Sequence, residues 1–471
     1  MLNWIWMGMI VVGIVVAALL GRLAGGDGIV VGMFESIEVA IMGILLPLSA
    51  VMMLWLGIMR LAEKSGMIQA LSKIIAPVLQ LIFPQVPKDH PAMGAIIMNM
   101  AANILGLGNS ATPLGLKAMQ ELETLNPHKG VATNAMCTFL AINTSSVTII
   151  PATAIGLLAA QGMAKPYAIV STTIGATLCS TLVAIIAVKV FERLPMFSVE
   201  RAVEKRQRKE VSKEDASSPV KEEEEDEKKL KPLGTFGITA VIAIFVLFAG
   251  IVALEARPDW RSGIQETLGL TGVVEQLNAE SASLEKVDTE KTGVLRWVMA
   301  FSVAAIPFIL FFFIVYAAIR GVRVYEEFVE GAKEGWNVVI RIMPFLVAMI
   351  AALTILRNSG ALFILKNALG SFLSFIKFPP DLLPMALMRP LSGSGSQGVL
   401  IELLTNPAIS ETTKYTAATM YGSTETTFYV LAVYFGSVAI RRTRHALAAG
   451  LCADLAGVIA AVVICKMVFG G

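Results

Sequence analysis

Four short polar runs lie inside otherwise strongly apolar sequence, and they hold the side chains best suited to chemistry. They span residues 106–115, 143–151, 389–398 and 421–427, and each combines Gly or Pro with hydroxyl, amide or charged groups. Irregular backbone at bilayer depth is tolerated only where it is buried in protein or lines a wet cavity. Interrupted segments in paired positions are typical of the substrate site of a membrane transporter.

The first two runs offer neutral polar groups at broken helix ends. A break frees amide N–H groups at one helix end and carbonyl groups at the other, which suit anions and cations respectively. The alternatives are a kink with close helix packing through small residues, and hydroxyl groups that bond their own backbone. The predicted solute-binding residues of the first half are Asn109, Ser110, Thr112, Asn143, Thr144, Ser145 and Ser146.

The last two runs add charge. An arginine at bilayer depth must be paired or face water, and Arg389 could clamp a carboxylate or phosphate through two hydrogen bonds. The alternatives are a structural ion pair with Glu402 or Glu425, or a side chain that reaches the interface from a helix end. The predicted solute-binding residues of the second half are Arg389, Ser392, Ser394, Ser396, Ser423, Thr424, Glu425 and Thr426.

Glu425 and Asp454 are predicted to couple the solute to an ion. Each carboxylate lies between apolar stretches, where burial would make it a proton carrier and nearby oxygens could make it a Na⁺ ligand. The alternative for Glu425 is a salt bridge to Arg389. The four cysteines and three histidines show no metal-ligand spacing, so no metal site and no cofactor beyond H⁺ or Na⁺ is expected.

Composition places these residues in an all-α polytopic membrane protein. The 471-residue chain is 55% hydrophobic and 16% charged, whereas a soluble domain of this length would be less apolar. Apolar stretches of about 20 residues, the length that a bilayer requires, predict the membrane spans. They cover about 4–21, 38–60, 92–118, 131–160, 167–190, 236–254, 297–319, 337–357, 383–404, 414–436 and 445–468. The four that contain the polar runs are each expected to be a broken helix or a hairpin pair: 92–118, 131–160, 383–404 and 414–436.

Two polar segments divide the chain. Residues 196–234 form a charged linker whose basic flank predicts a cytoplasmic position, either as a solvated tether or as a regulatory or partner-binding tail. Residues 235–325 add extra helices around a polar insert at 255–294, which is expected on the opposite side. The remaining segments, 1–195 and 326–471, are the two halves of the protein.

The two halves share an order of parts. Ala62–Gly66 corresponds to Leu356–Gly360, and an amphipathic stretch, a Pro-rich turn, a Gly/Ser break and a Ser/Thr-rich break follow in both. Internal repeats of this kind build many secondary transporters. A parallel or an inverted relation is left open, because plain span counting puts Arg441–His445 opposite the linker, against the positive-inside rule. Either one broken segment is re-entrant or one predicted span is wrong.

Longer motifs produce a family resemblance that covers nearly all of the chain outside the linker and the insert. The segments that resemble spore maturation protein A are Asp89–Gly94, Asn103–Gly115 and Phe139–Ser145. Those that resemble spore maturation protein B are Leu383–Ser396, Met420–Gly436 and His445–Gly457. In that family the two parts are usually separate proteins, so the chain resembles a fusion.

The resemblance implies two repeats of the Gate type, also called nucleoside-recognition domains, with broken or re-entrant helices. The same domain type occurs in ferrous iron transporter B and is similar to part of the concentrative nucleoside transporters. The resemblance therefore implies membrane transport or gating, in a multi-pass protein of the bacterial cytoplasmic (inner) membrane. It does not supply a substrate.

The leading hypothesis is a secondary transporter or facilitator that holds a small polar or anionic solute, nucleoside-like in the first instance, near the bilayer midplane. The alternative is a non-transporting membrane scaffold or sensor. An enzyme is not expected, because the chain has no HExxH motif and residues 392–396 lack the glycine spacing of a nucleophile elbow. No phosphate-binding loop is present, so ion gradients or passive flow would supply the drive. The expected partners are the lipid bilayer and the solute, with a homo-oligomer left open and no nucleic acid.

Overall fold

The structure is a computed structural model that describes residues 2–23, 28–39, 41–42, 46–106, 108–145, 147–199, 233–280, 293–375 and 377–470. These residues form α-helices and short 3₁₀ turns and contain no β-strand. The predicted all-α polytopic fold is confirmed. Most of the predicted linker, 200–232, and part of the polar insert, 281–292, lie outside the described residues.

The first half begins with two helices, α1 (Leu2–Leu19) and α2 (Ile29–Glu38), which precede the first repeat. The helices of that repeat are α3 (Leu46–Lys64), α4 (Met67–Ile82), α5 (Pro91–Ile104), α6 (Gly108–Thr124), α7 (Asn134–Ser145), α8 (Ala152–Ala160) and α9 (Ile169–Phe191). The helices end where the sequence predicts breaks. Gly106 has a left-handed φ of 77° after α5, and Pro151 occupies the N-cap of α8.

The second half begins with α10 (Thr235–Ala256), α11 (Pro258–Thr267), α12 (Thr271–Glu280) and α13 (Val294–Ile319). The helices of the second repeat are α14 (Val324–Asn358), α15 (Ala361–Phe375), α16 (Leu383–Met388), α17 (Gly393–Thr405), α18 (Glu411–Ser423), α19 (Thr427–Ser437) and α20 (Ala446–Phe469). In order, α14 to α20 correspond to α3 to α9. Buried side chains from both repeats, such as Trp55, Leu157 and Leu400, share one hydrophobic core.

Both repeats bend at the same Ser-Gly pair. Gly66 and Gly360 adopt left-handed φ angles of 76° and 88°, a region that disfavours residues with a Cβ. The buried hydroxyl groups of Ser65 and Ser359 each donate to the carbonyl three residues earlier, at 2.9 Å. The chain then turns by 70° between α3 and α4 and by 69° between α14 and α15. The predicted correspondence between these two segments is therefore present in three dimensions.

The first helices of the two repeats, α3 and α14, pack antiparallel. The Gly-x-x-x-Gly pattern of Gly331 and Gly335 allows their close approach, as small residues do between membrane helices. A Cβ on Gly331 would lie 2.5 Å from Leu56 O, and one on Gly335 would lie 2.8 Å from the Cα of Met53. As the residue number rises along α14, the number of the contacted residue on α3 falls, so the two helices run antiparallel.

The last helices of the repeats, α9 and α20, are antiparallel too. A Cβ on Gly175 would lie 3.0 Å from the Cδ1 of Ile464, while the Ser180 hydroxyl donates to Ala453 O at 2.8 Å. Corresponding helices thus run in opposite directions at both ends of the repeat. The two repeats are inverted, which resolves the relation that the sequence leaves open.

The α5–α6 segment is a re-entrant hairpin, which is one of the two forms predicted for 92–118. The Asn99 amide donates to Ala111 O at 2.7 Å near the tip, and the Thr124 hydroxyl lies 3.5 Å from His90 Nε2 at the other end. The two helices pack along each other between these points. Apolar composition alone does not distinguish such a hairpin from a crossing, because both bury apolar side chains.

The α16–α17 segment is a second hairpin, again one of the two forms predicted for 383–404. It is reached from the end of α14 through α15, and α17 returns to the last turn of α14, where Arg357 Nη1 lies 2.8 Å from Glu402 Oε1. The segments α7–α8 and α18–α19 are instead broken helices that continue across. The predicted pattern of broken and re-entrant helices is confirmed.

The hairpins also settle the position of the basic loop Arg441–His445. Arg444 Nε donates to Phe197 O at 2.8 Å, which places this loop beside the end of α9, where the linker begins. The basic loop and the basic residues at the end of α9, Lys189 and Arg193, therefore share one side, as the positive-inside rule requires. That side is called the linker side below, and the other is called the opposite side.

Several helices are long and apolar enough to cross a bilayer. In the described residues, four helical stretches meet this test alone: Pro166–Phe191, Thr235–Ala256, Val294–Ile319 and Ala446–Phe469. The two bent pairs, α3–α4 and α14–α15, bring the number to as many as six. The chain is a multi-pass membrane protein.

Candidate functional site

Each re-entrant hairpin is bonded at its tip to the broken helix of its own repeat. In the first repeat, the Ile149 N–H in the break between α7 and α8 donates to Ile104 O at 3.1 Å. In the second, the Phe428 N–H at the start of α19 donates to Pro390 O at 3.1 Å. The same backbone contact between hairpin tip and broken helix occurs in both repeats, so the two polar runs of each half lie together.

The two breaks also contact each other across the repeats. The Glu425 N–H donates to Thr144 O at 2.7 Å, which satisfies a carbonyl that α7 leaves free at its last turn. All four polar runs thus meet in one cluster. This cluster is called the junction below, and it comprises residues 104–106, 144–145, 147–150, 389–393 and 424–428.

Arg389 is the charged centre of the junction. Its side chain is 5% exposed, Nη2 donates to Thr424 O, and the guanidinium lies over the Tyr421 ring at 4.6 Å. Nη2 is 3.8 Å from Glu425 Oε2, and Nε has no hydrogen-bond partner among the described residues. The alternative pairing with Glu402 is wrong, because that carboxylate pairs with the arginine at the end of α14.

The two predicted coupling carboxylates differ in environment. The side chain of Glu425 is 54% exposed, so the burial expected of it is wrong. Asp454 is 3% exposed: Oδ2 accepts a 2.5 Å bond from the Thr427 hydroxyl, and Oδ1 has no partner among the described residues. The described residues bring together no group of three His, Cys, Asp or Glu side chains that could hold a metal ion. Of the two carboxylates, Asp454 therefore has the burial that the prediction of ion coupling requires.

An amide network supports the first-repeat side of the junction. Asn103 Nδ2 donates to Asn143 Oδ1 at 2.9 Å, and Asn143 Nδ2 donates to Phe139 O at 2.9 Å. Asn143 therefore uses both ends of its amide within the protein. It connects the hairpin to the broken helix, and its predicted contact with a solute has to compete with these bonds.

Three predicted serines bond their own helix. The hydroxyl groups of Ser145, Ser396 and Ser423 donate to backbone carbonyls three or four residues earlier, at 2.8 to 3.1 Å. Ser392 is the N-cap of α17 and accepts from the Gly395 N–H at 3.0 Å, with the Ser394 hydroxyl 3.5 Å away. These serines shape the helix ends, and their remaining lone pairs are what a solute could reach.

The hydroxyl groups of the predicted threonines form fewer hydrogen bonds within the described residues than those of the serines. Thr424 Oγ1 is buried and has no partner among the described residues, while Thr144 is buried beside the Glu425 contact. A Cβ on Gly393 would lie 3.1 Å from Thr426 Oγ1, so that hydroxyl faces the second hairpin tip closely. Thr112 lies further along α6 and is partly exposed.

Three predicted residues cannot be placed in full. Asn109 and Ser110 lie in the first turn of α6, but their side chains are outside the described part of the structure, and Ser146 lies outside the described residues. The helix start that carries Asn109 and Ser110 does face the junction, because α6 begins directly after the hairpin tip.

Sequence reasoning missed several polar groups at or near the junction. Tyr421 and Thr427 stand at the two ends of the fourth polar run, so the run itself was the signal for them. Gln397 has a buried amide nitrogen without a partner among the described residues, and it is the next-to-last residue of the third run. Buried polar groups are usually bonded, so such atoms are candidates for contact with a solute.

Two cavities lie away from the junction. One, of about 260 Å³, is on the linker side near the end of α6 and the start of α7. The other, of about 920 Å³, is on the opposite side between α2, the end of α14 and the end of α17. Charged and polar groups line this larger cavity, including the Arg357–Glu402 pair, Arg22 and Glu35. α17 connects it to the junction, since that helix starts at the hairpin tip and ends in the cavity wall.

Comparisons with known proteins agree with the division of the chain into two repeats. The Gate family model, described as nucleoside recognition, matches residues 45–161 and 339–441, which correspond to α3–α8 and to most of α14–α19. Spore maturation protein A of Bacillus subtilis (strain 168) is 41% identical over 192 residues, or 41% of this chain and 95% of that protein. Spore maturation protein B of the same organism is 41% identical over 177 residues, or 38% of this chain and 98% of that protein, in the other half. No solved structure matches the chain significantly.

Proposed function

Because the chain belongs to the family of spore maturation proteins A and B and joins a half of each kind in one polypeptide, we propose that it is a secondary transporter or facilitator. Its solute is a small polar or anionic molecule. A nucleoside-like compound is the first candidate, because the Gate model that matches both repeats is described as nucleoside recognition. Its location is the bacterial cytoplasmic (inner) membrane, and its role is transport rather than catalysis.

The observation that supports the proposal most is the junction itself. Two inverted repeats each contribute a hairpin tip and a broken helix, and all four meet through backbone hydrogen bonds. Inverted repeats with discontinuous helices at their interface are how many secondary transporters form a central site. A scaffold would not need interrupted helices at bilayer depth, where each break leaves backbone groups to be satisfied.

The charges of the junction favour a polar or anionic solute. The starts of α6, α8, α17 and α19 all lie at the junction, and helix N-termini attract negative charge. The buried guanidinium of Arg389 adds a full positive charge beside them. The unbonded Thr424 hydroxyl and the amide of Gln397 supply neutral contacts, which suit a hydroxylated ring or a carboxylate.

Asp454 is the group proposed to couple H⁺ or Na⁺. It is bonded to Thr427, the first residue of α19, so a change in its charge acts directly on the broken helix. An Asp454→Asn variant should retain solute binding and lose the dependence of uptake on the ion gradient. Uptake by this variant that still follows the gradient would remove Asp454 from the coupling role.

The test of the function is a ligand screen followed by flux. The purified protein is melted with nucleosides, nucleotides, amino acids and dipeptides at several pH values, because a ligand of the folded state raises the melting temperature. Arg389→Met should lose the shift. Arg60→Met is the matched control, since Arg60 pairs with Glu327 at 3.1 Å and Glu334 at 2.7 Å, away from the junction.

Hits are then carried into proteoliposomes for uptake measurements. Uptake that requires Arg389 and not Arg60 would support the proposal. A panel without any melting shift, together with liposomes that show no uptake, would refute it and favour the scaffold or sensor alternative.

A further inference from the structure

Two loops of different repeats are bonded to each other on the linker side. The N–H groups of Arg441 and Arg442 both donate to Gly130 O, at 3.0 and 3.1 Å, and the Ala132 N–H donates to Arg442 O at 3.0 Å. Val131 and Arg442 form an isolated parallel β-bridge. This contact, between residues 130–134 and 441–445, is called the clasp below.

The Arg444 side chain fastens the clasp. Nη1 donates to Ala132 O at 3.0 Å and to Asn134 Oδ1 at 2.7 Å, and Nε donates to Phe197 O at 2.8 Å. Arg444 also has a φ of 48°, a left-handed conformation that is uncommon for a residue with a side chain. Such a conformation persists only where surrounding bonds hold it, so the clasp is a strained contact that breaking these bonds would release.

His445 adds a buried titratable group to the clasp, directly before α20 begins. It is fully buried with its ring 6.0 Å from that of Phe197, and neither ring nitrogen has a hydrogen-bond partner among the described residues. Burial, followed by the charges of Arg444 and Lys189, lowers the pKa of His445 to about 4. The ring is therefore neutral while the clasp is formed at neutral pH.

The inverted repeat provides an internal comparison on the opposite side. There the loops that correspond to the clasp are 161–168 and 406–410. Both are fully described, and no backbone–backbone hydrogen bond joins them. A bond from the Lys165 N–H to the hydroxyl of Tyr415, at 3.2 Å, reaches α18 instead. The backbone bonds of the clasp are thus not repeated between the two described loops of the opposite side.

The larger of the two cavities lies on the side without such a clasp. Its volume of about 920 Å³ is large enough for a nucleoside-sized molecule, and it is lined by both charges and amides. One polar atom points to a ligand there: Thr354 is fully buried, lines this cavity, and its hydroxyl has no partner among the described residues. The structure therefore combines a polar cavity on one side with a bonded contact on the other.

We infer that the cavity is the solute's entrance on the opposite side, and that the clasp is the gate that closes the linker side in this state. The inference rests on the proposed function for its role in transport. Passage to the linker side then requires the bonds of Arg441, Arg442 and Arg444 to break. By the symmetry of the repeats, loops 161–168 and 406–410 would close as the clasp opens.

A disulfide across the clasp tests the gate directly. Val131→Cys and Arg442→Cys are combined, since bridge partners lie at a separation that a disulfide can span. The native cysteines are first replaced by alanine: Cys137, Cys179, Cys452 and Cys465. Oxidation should reduce uptake at least about tenfold and reductant should restore it, whereas either single cysteine should respond to neither. Full uptake with the disulfide formed would overturn the gate.

Accessibility gives a second readout that needs no transport. Thr138→Cys on α7 lies behind the clasp and should react slowly with a membrane-impermeant maleimide from the linker side, because Thr138 is buried. Arg444→Ala should raise that rate at least about tenfold. Ser36→Cys in the cavity should react from the opposite side and should react more slowly once the clasp opens. If Arg444→Ala does not fold, Asn134→Ala removes the 2.7 Å bond more mildly.

The outcomes separate the two proposals. An unchanged Thr138→Cys rate in a folded Arg444→Ala variant overturns the gate, even if the wild-type chain transports. A rate that rises as expected in a chain that moves no solute supports the gate and counts against the transporter alone.

Discussion

Replacing Arg389 by methionine should separate binding from stability. The change removes a charged hydrogen bond to Thr424 O, which contributes about 1.5–3 kcal/mol, and a contact with the Tyr421 ring, which contributes about 1–2 kcal/mol. It also removes a buried charge, whose desolvation costs several kcal/mol. These terms oppose each other. We therefore expect the free energy of unfolding to change by no more than about 2 kcal/mol in either direction.

The ion pair with Glu425 should add little to this balance. Arg389 Nη2 lies 3.8 Å from Glu425 Oε2, and the carboxylate is 54% exposed. Two unit charges at that distance interact by about 1 kcal/mol in a water-like dielectric, and measured exposed pairs contribute about 0–1 kcal/mol. A double-mutant cycle of Arg389→Met with Glu425→Gln should therefore give a coupling energy of about 1 kcal/mol or less.

The assay measures unfolding in detergent for the wild type, both single variants and the double variant, with and without a solute from the screen. The Arg389→Met protein should melt within a few degrees of the wild type and show no solute-dependent shift. Arg389→Lys should keep the fold and weaken binding at least about tenfold, because an ammonium cannot make the paired, planar contact of a guanidinium.

One result would refute this reasoning. If Arg389→Met fails to fold, or the coupling energy exceeds about 3 kcal/mol, then Arg389 and Glu425 form a structural pair that the protein needs for stability. There would then be no reason to assign solute binding to the Arg389 side chain, and the loss of binding in the variant would follow from misfolding.

Three further perturbations test the fold and the clasp. Gly66→Ala and Gly360→Ala should each destabilise the protein by about 1 kcal/mol or more, because both positions are left-handed, whereas helical Gly250→Ala, with open space around it, should not. The pKa of His445 is lowered from 6.5 to about 4. Its contribution to the free energy of unfolding is therefore fully present above pH 6.5 and is lost as the pH falls through 4. In unfolding experiments the loss that comes from His445 is at most about 3 kcal/mol, and His445→Phe should remove that part of the pH dependence of stability. Halves expressed separately without residues 200–232 should co-purify and melt as one unit, because the bonds of the junction and the clasp join the two halves directly; independent melting of the halves would contradict this.

Much of the architecture followed from local chemistry. Glycine and proline fixed where helices stop, so the four breaks could be located from residues such as Gly106 and Pro151. The repeat was visible in the matching Ser-Gly bends. Hydropathy could not tell a hairpin from a span, because it reports how apolar a helix is and not which way the chain leaves it. The inverted relation and the side of Arg441–His445 both depend on that direction.

The site was predicted less well, for a different reason. The apolar stretches around Glu425 predicted that its side chain is buried. Packing between the repeats decides which side of a helix break is exposed, and the Glu425 side chain is 54% exposed. The bond between Thr427 and Asp454 joins residues far apart in sequence, and neither residue type nor spacing reveals it. Hydroxyl groups were easy to find, yet whether Ser145 or Ser423 bonds its own helix depends on rotamers that the sequence does not specify.

The two halves contribute different residues to the junction, which gives a reason for their fusion in one polypeptide. Each relative aligns with one half over 95% or 98% of its length, so each corresponds to a single repeat. The first half supplies the amide network of Asn103 and Asn143, whereas the second supplies Arg389, Glu425 and Asp454. The bonds that complete the junction and the clasp cross from one half to the other. A single half therefore contains neither the complete junction nor the complete clasp. Joining the two by a linker keeps their local concentration high, which favours assembly of an interface that both must share.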